Sequence, residues 1–118
     1  MDDRDEGFFE IYGRHMFFDK AGQPISSDEV MRRRYGPDRK VSDYARIGST
    51  EIGDIHISTV WLGMDHQFED GPPLIFETMV FGGPLADYQW RYATEAEAIA
   101  GHDQVVAKVR DLLAGTGE

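Results

Sequence analysis

Two spacings organise the apolar positions of this chain: short runs of strand length over most of it, and a helical repeat near the C-terminus. Phe8-Phe9-Glu10-Ile11-Tyr12 and His15-Met16-Phe17-Phe18 are aromatic runs of strand character. Asp19-Lys20-Ala21-Gly22-Gln23-Pro24 then has the Asp, Gly and Pro of a tight turn. Ser26-Ser27-Asp28-Glu29 reads as a capping box, with Ser26 accepting from the Glu29 N–H while Glu29 reaches back. It predicts a short helix to about Tyr35, stopped by Gly36-Pro37. Residues 44–47 predict a strand with a turn near Gly48-Ser49. Residues 52–62 predict one long strand bent at Gly53-Asp54, 74–81 a second strong strand, and 88–92 a third.

Thr94-Glu95-Ala96-Glu97 is a second capping box, opening a helix to about residue 114. Ile99, His102, Val106, Val109 and Leu113 fall on one face of it, flanked by Ala98, Val105 and Leu112, with Glu97, Gln104, Lys108 and Asp111 opposite. The order β-β-α-β-β-β-α, with short links between the last strands, predicts an α+β fold. Its expected form is an antiparallel sheet of about four to five strands carrying the long C-terminal helix and a short helix from the N-terminal half. One domain over 7–118 follows a solvated, disordered acidic tail, residues 1–6.

Composition narrows the chemistry more than the fold. A chain of 118 residues, 41% hydrophobic and 12% aromatic, can bury one core. It has no cysteine, so disulfides, thiolate zinc sites and a cysteine nucleophile are excluded, and a reducing cytoplasm suits it. The first six residues are acidic where a signal peptide would be basic and then apolar. No apolar run approaches the roughly 18 residues of a membrane span. The net charge is −10, and residues 60–118 hold ten acidic side chains against three basic ones. That balance opposes general nucleic-acid affinity, which depends on clustered Lys and Arg.

Strand 74–81 is apolar on both faces, Leu74, Phe76, Thr78 and Val80 on one and Ile75, Glu77, Met79 and Phe81 on the other. A half-exposed antiparallel strand would alternate apolar with polar, so either a helix covers each side or one side meets another molecule; with only two helices predicted, one of them short, the interface is the expectation. Ile75, Met79, Phe81 and Trp61 are the candidate interface residues, and a homo-oligomer is expected. His102 and Glu77 each interrupt an apolar stretch and are expected to pair in the core. Arg32, Arg33, Arg34, Arg39 and Lys40 are candidate contacts for phosphate or an acidic partner, against the plainer reading of a surface charge run. Asp65, His66, Glu69 and Asp70, with His56 or Glu51, have metal-binding chemistry, but EF-hand spacing is absent and a solvated acidic loop is the expectation. No P-loop, GxGxxG, HExxH or GxSxG is present.

Ser58-Thr59-Val60-Trp61-Leu62-Gly63-Met64-Asp65-His66 and the stretch Gly71-Pro72-Pro73-Leu74-Ile75-Phe76-Glu77-Thr78-Met79-Val80-Phe81-Gly82-Gly83 carry a resemblance, together with Arg91-Tyr92-Ala93-Thr94-Glu95 and Ala100-Gly101-His102. Over roughly residues 52–110 the chain resembles short proteins of unassigned function from bacteriophages and prophage-bearing bacteria. The resemblance implies a phage setting in the cytoplasm of a bacterial host, and no activity or cofactor. The expectation is thus a non-catalytic phage accessory protein that binds a host or phage protein, with no cofactor, no metal and no membrane. A nucleic-acid-associated factor using the Arg32–Lys40 cluster and a virion structural component are the alternatives.

Overall fold

The computed structural model describes residues 16–67 and 70–115. Helix α1 (Ser27–Arg34) precedes four strands, β1 (Arg46–Ile52), β2 (Ile55–Trp61), β3 (Phe76–Phe81) and β4 (Gln89–Tyr92), and helix α2 (Glu95–Gly115) follows them. The strands form one antiparallel sheet in the order β1-β2-β3-β4, and α2 packs along all four. This is the α+β meander expected from the apolar runs. The expected tail 1–6 and strand 8–12 lie outside the described residues. Of the second aromatic run, Phe17 bridges Met64 and Phe18 bridges Pro24.

The region 44–62 is partitioned differently from the expectation. Gly53-Asp54 is the two-residue turn of a hairpin, with Gly53 at φ +59° as such turns require. The residues expected to turn, Gly48 and Ser49, lie inside β1, where the register slips between Arg46 and Gly48. Both helices start where their caps predict. Ser26 Oγ accepts from the Glu29 N–H at 3.1 Å, and Thr94 Oγ1 from the Glu97 N–H at 3.1 Å. Glu29 does not reach back to the cap; its carboxylate turns to Arg32 and Arg33 one turn on.

In β2 every second side chain points under α2, and Ile55, Ile57, Thr59 and Trp61 are buried. The ladder puts Val80, Thr78 and Phe76 beside Ile57, Thr59 and Trp61 on that face. Two apolar clusters result. Ile55, Ile57, Val80, Leu85, Val105, Val106 and Val109 fill one end, and Phe18, Val30, Ala45, Trp61, Ile75, Phe76 and Ala98 the other. Between them lies a polar layer of Thr59, Thr78 and His102. The buried stripe of α2 is Ala98, Gly101, His102, Val105, Val106 and Val109, while Ile99 is 51% and Leu113 41% exposed. The helix is thus rotated from the face that hydropathy alone selects.

Candidate functional site

The sheet face turned away from α2 brings together Glu51, His56, Glu77, Met79 and Phe81 of the residues singled out in the sequence. Cross-strand partners share a face, so the register sets its composition. Glu51, His56 and Phe81 form one row, Ser49, Ser58, Met79 and Gln89 the next, and Val60, Glu77 and Arg91 the third. Among the described residues no helix covers this face; α1 sits at the end of the sheet, with Val30 in the Trp61 cluster. Phe81 is 50% exposed and its ring stands 6.0 Å from that of His56, tilted by 34°. Met79 is half-buried beside it.

Glu77 is the one buried acid of the face, at 8% exposure. The Arg91 guanidinium satisfies it, Nε donating to Glu77 Oε2 at 3.0 Å, while another Arg91 nitrogen donates to Gln89 Oε1 at 3.1 Å. The first of these bonds crosses from β4 to β3, and the second stays within β4 and holds the guanidinium in place. Glu77 and His102 therefore do not pair. Odd positions of β3 face away from α2 and even ones face it, so the sheet itself separates the two groups.

His102 finds hydroxyls instead. Its Nδ1 lies 2.7 Å from Thr59 Oγ1 and its Nε2 2.8 Å from Thr50 Oγ1. Thr59 Oγ1 is 2.5 Å from Thr78 Oγ1, which accepts from the Tyr92 hydroxyl at 3.1 Å. Burial pushes the His102 imidazole below its ordinary pKa, with Asp103 opposing and His56 adding to the shift. Gly48 makes room for the ring: a Cβ there would stand 2.9 Å from His102 Cγ and Nδ1.

The interface expectation divides. Met79 and Phe81 lie on the open face. Trp61, 0% exposed, is a core anchor whose indole N–H donates to the Phe18 carbonyl at 3.1 Å and whose ring meets Tyr44 edge-on at 5.1 Å. Ile75 is buried in the same cluster: it precedes β3, where its N–H donates to the Tyr92 carbonyl and its C=O accepts from the Leu62 N–H, so it is enclosed at the end of the sheet.

The basic run is spread over two places and partly engaged. Arg32 and Arg33 both reach Glu29, at 2.7 and 2.8 Å, and Arg33 also donates to the Tyr44 hydroxyl. Arg34 donates to the Leu62 carbonyl and lies over the Tyr35 ring. Arg39, at φ +64°, and Lys40 are exposed in the turn that follows. In the acidic loop, Asp65 is buried and accepts from the Gln67 and Leu74 N–H groups, which ties the loop to β3. Glu69 lies outside the described residues. Among the described residues no three His, Asp or Glu side chains converge as a metal site, and no helix is long and apolar enough to cross a membrane. Ser49 Oγ and His56 Nε2 stand 2.9 Å apart on the open face, a nucleophile–base pair in type. It lies on a flat strand pair, with no hydrogen bond orienting the other imidazole nitrogen among the described residues.

Sequence reasoning missed Thr50 and Thr59 as the partners of His102, and Thr78 and Tyr92 behind them, having read the threonines only as strand formers. Comparisons with protein-family models, with curated proteins and with solved structures found no match.

Proposed function

We propose that this protein is a non-catalytic binding module that works by protein–protein contact through the open face of its sheet, in a bacteriophage setting within the bacterial cytoplasm. The observation that carries the reading is the pair Met79 and Phe81, apolar side chains on a sheet face with no described helix over it. A large exposed aromatic beside a rim of Ser49, Glu51, Gln89 and Arg91 has the composition of a small interface: an apolar centre with polar surroundings. The absence of a recognisable catalytic motif in the sequence agrees with this reading.

The test is affinity capture from nuclease-treated bacterial lysate with wild type, Phe81→Asp and Ile99→Asp as baits. Phe81 and Ile99 are comparably exposed, one on the open face and one on the outer side of α2. The reading expects a protein retained by wild type and Ile99→Asp and lost with Phe81→Asp. Equal retention by all three baits would place binding elsewhere.

A further inference from the structure

A continuous hydrogen-bonded chain crosses the core, taking one residue from α2 and one from each strand. It runs Tyr92 (β4), Thr78 (β3), Thr59 (β2), His102 (α2), Thr50 (β1). Each hydroxyl carries a single proton, and among the described residues the Thr59 and Thr78 hydroxyls bond only their neighbours in this chain, so each proton must go to one neighbour or the other. With Tyr92 donating to Thr78, the rest of the chain is set: Thr78 donates to Thr59, Thr59 to His102 Nδ1, and the imidazole proton sits on Nε2 facing Thr50. The tautomer follows from the network. A second imidazole proton is incompatible with that arrangement. Nδ1 then donates to Thr59, Thr59 must turn to Thr78, Thr78 to the Tyr92 oxygen, and the Tyr92 proton must leave the chain. One proton, taken from solvent and ending on Nδ1, reverses three hydroxyls.

We propose that this chain is an acid-sensitive relay, in which protonation of His102 inside α2 is transmitted through Thr59 and Thr78 to the Tyr92 hydroxyl at the edge strand. The far end sits where movement has a mechanical consequence. Gly101, the neighbour of His102, lies so close to Tyr92 that a Cβ there would stand 2.3 Å from Tyr92 Cε1 and Cζ. A Tyr92 hydroxyl that loses its acceptor therefore disturbs the contact between α2 and β4. Asp103, on α2 itself, favours the His102 cation, and His56, from β2, opposes it. Glu77 and Glu51 lie across the sheet on the opposite face. Thr50, Thr59 and Thr78, the partners from β1, β2 and β3, carry no charge. Burial holds the imidazole neutral at pH 7, which sets the relay to respond only to acid.

The experiment is an NMR titration of the labelled full-length protein between pH 8 and pH 4.5, following the imidazole nitrogens of His102 and the ring resonances of Tyr92. At pH 8 His102 is expected as the Nε2–H tautomer. On acidification the Tyr92 resonances are expected to move with the same midpoint as His102. Thr78→Val should leave His102 titrating while Tyr92 no longer follows, and Thr78→Ser, which keeps the hydroxyl, should preserve the coupling. A Tyr92 that is silent through the His102 titration in wild type would overturn the proposal. So would an Nδ1–H tautomer at pH 8, a Tyr92 that still follows in Thr78→Val, or global unfolding before His102 titrates.

Discussion

His102 is an imidazole with both nitrogens bonded, held between Gly48 and the threonines of two strands. Removing it and replacing it therefore have different consequences. His102→Ala leaves Thr50 and Thr59 without their shared partner and opens a void, and denaturant melts should show a loss of about 2–4 kcal/mol. His102→Gln keeps an amide in the layer and should cost visibly less. Two variants that melt like wild type would mean that the polar layer contributes nothing. The same residue sets a pH dependence. The folded protein lowers the affinity of His102 for a proton, and burial does the same to His66. Their stabilisation is therefore fully present above the unfolded value near 6.5 and declines as pH falls below it, by up to about 1.4 kcal/mol per pH unit for each histidine. His102→Gln should flatten that decline without abolishing it, since His66 remains. That His102 was buried could be read from its place in an apolar repeat. Its partners could not, because which side of β3 faces α2 depends on the register, and hydropathy treats Thr59 and Thr78 as ordinary strand residues.

At the scale of the element, α2 is where hydropathy and packing part company. Ranking by apolar size selects Ile99 and Leu113, yet the sheet takes Ala98 and Gly101. The reason is distance. At the β4 end the Tyr92 ring comes so near the helix that only glycine fits at residue 101, and this close approach fixes the rotation of everything after it. Val109 is fully buried and Ile99 half-exposed, so the smaller side chain should matter more. Val109→Ala is expected to cost roughly 2 kcal/mol from the lost methyl groups and the cavity, and Ile99→Ala to stay within about 0.5 kcal/mol of wild type. Chemical denaturation of the two variants decides it, and the opposite ranking would restore the face read from periodicity. The caps and the period of α2 were legible because they are local. Its rotation was not, because it is set by a tyrosine on another element. The hairpin at Gly53-Asp54 shows the same limit: the turn signal was present, but the β-branched residues on both sides made a single long strand the simpler reading.

For the whole molecule, charge and the open face pull in opposite directions. A net charge of −10 works against phosphate binding, and Arg32, Arg33 and Arg34 are already engaged by Glu29, Tyr44, Tyr35 and the Leu62 carbonyl. No specific duplex shift is expected at physiological salt; a sub-micromolar, salt-sensitive shift lost on replacing the three arginines with alanine would reverse that ranking. The same charge bears on self-association, where the first candidate for covering Met79 and Phe81 is a second copy. The inner side of β3 is already covered by α2, so only the outer side can drive a dimer, and the apolar area it offers is small. Two copies each carrying −10 repel, and salt screens that repulsion over a Debye length of about 8 Å at 0.15 M ionic strength. An apolar dimer of this protein should therefore strengthen with salt, unlike one held by ion pairs. Light scattering at tens of micromolar is expected to show the mass rising from monomer toward dimer between low and moderate salt, and Phe81→Asp should hold the monomer throughout. A monomeric mass at every salt concentration would leave the open face to a partner of different sequence. A dimer that weakens with salt would mean that Glu51 and Arg91, at opposite edges of the face, hold the copies together rather than Met79 and Phe81.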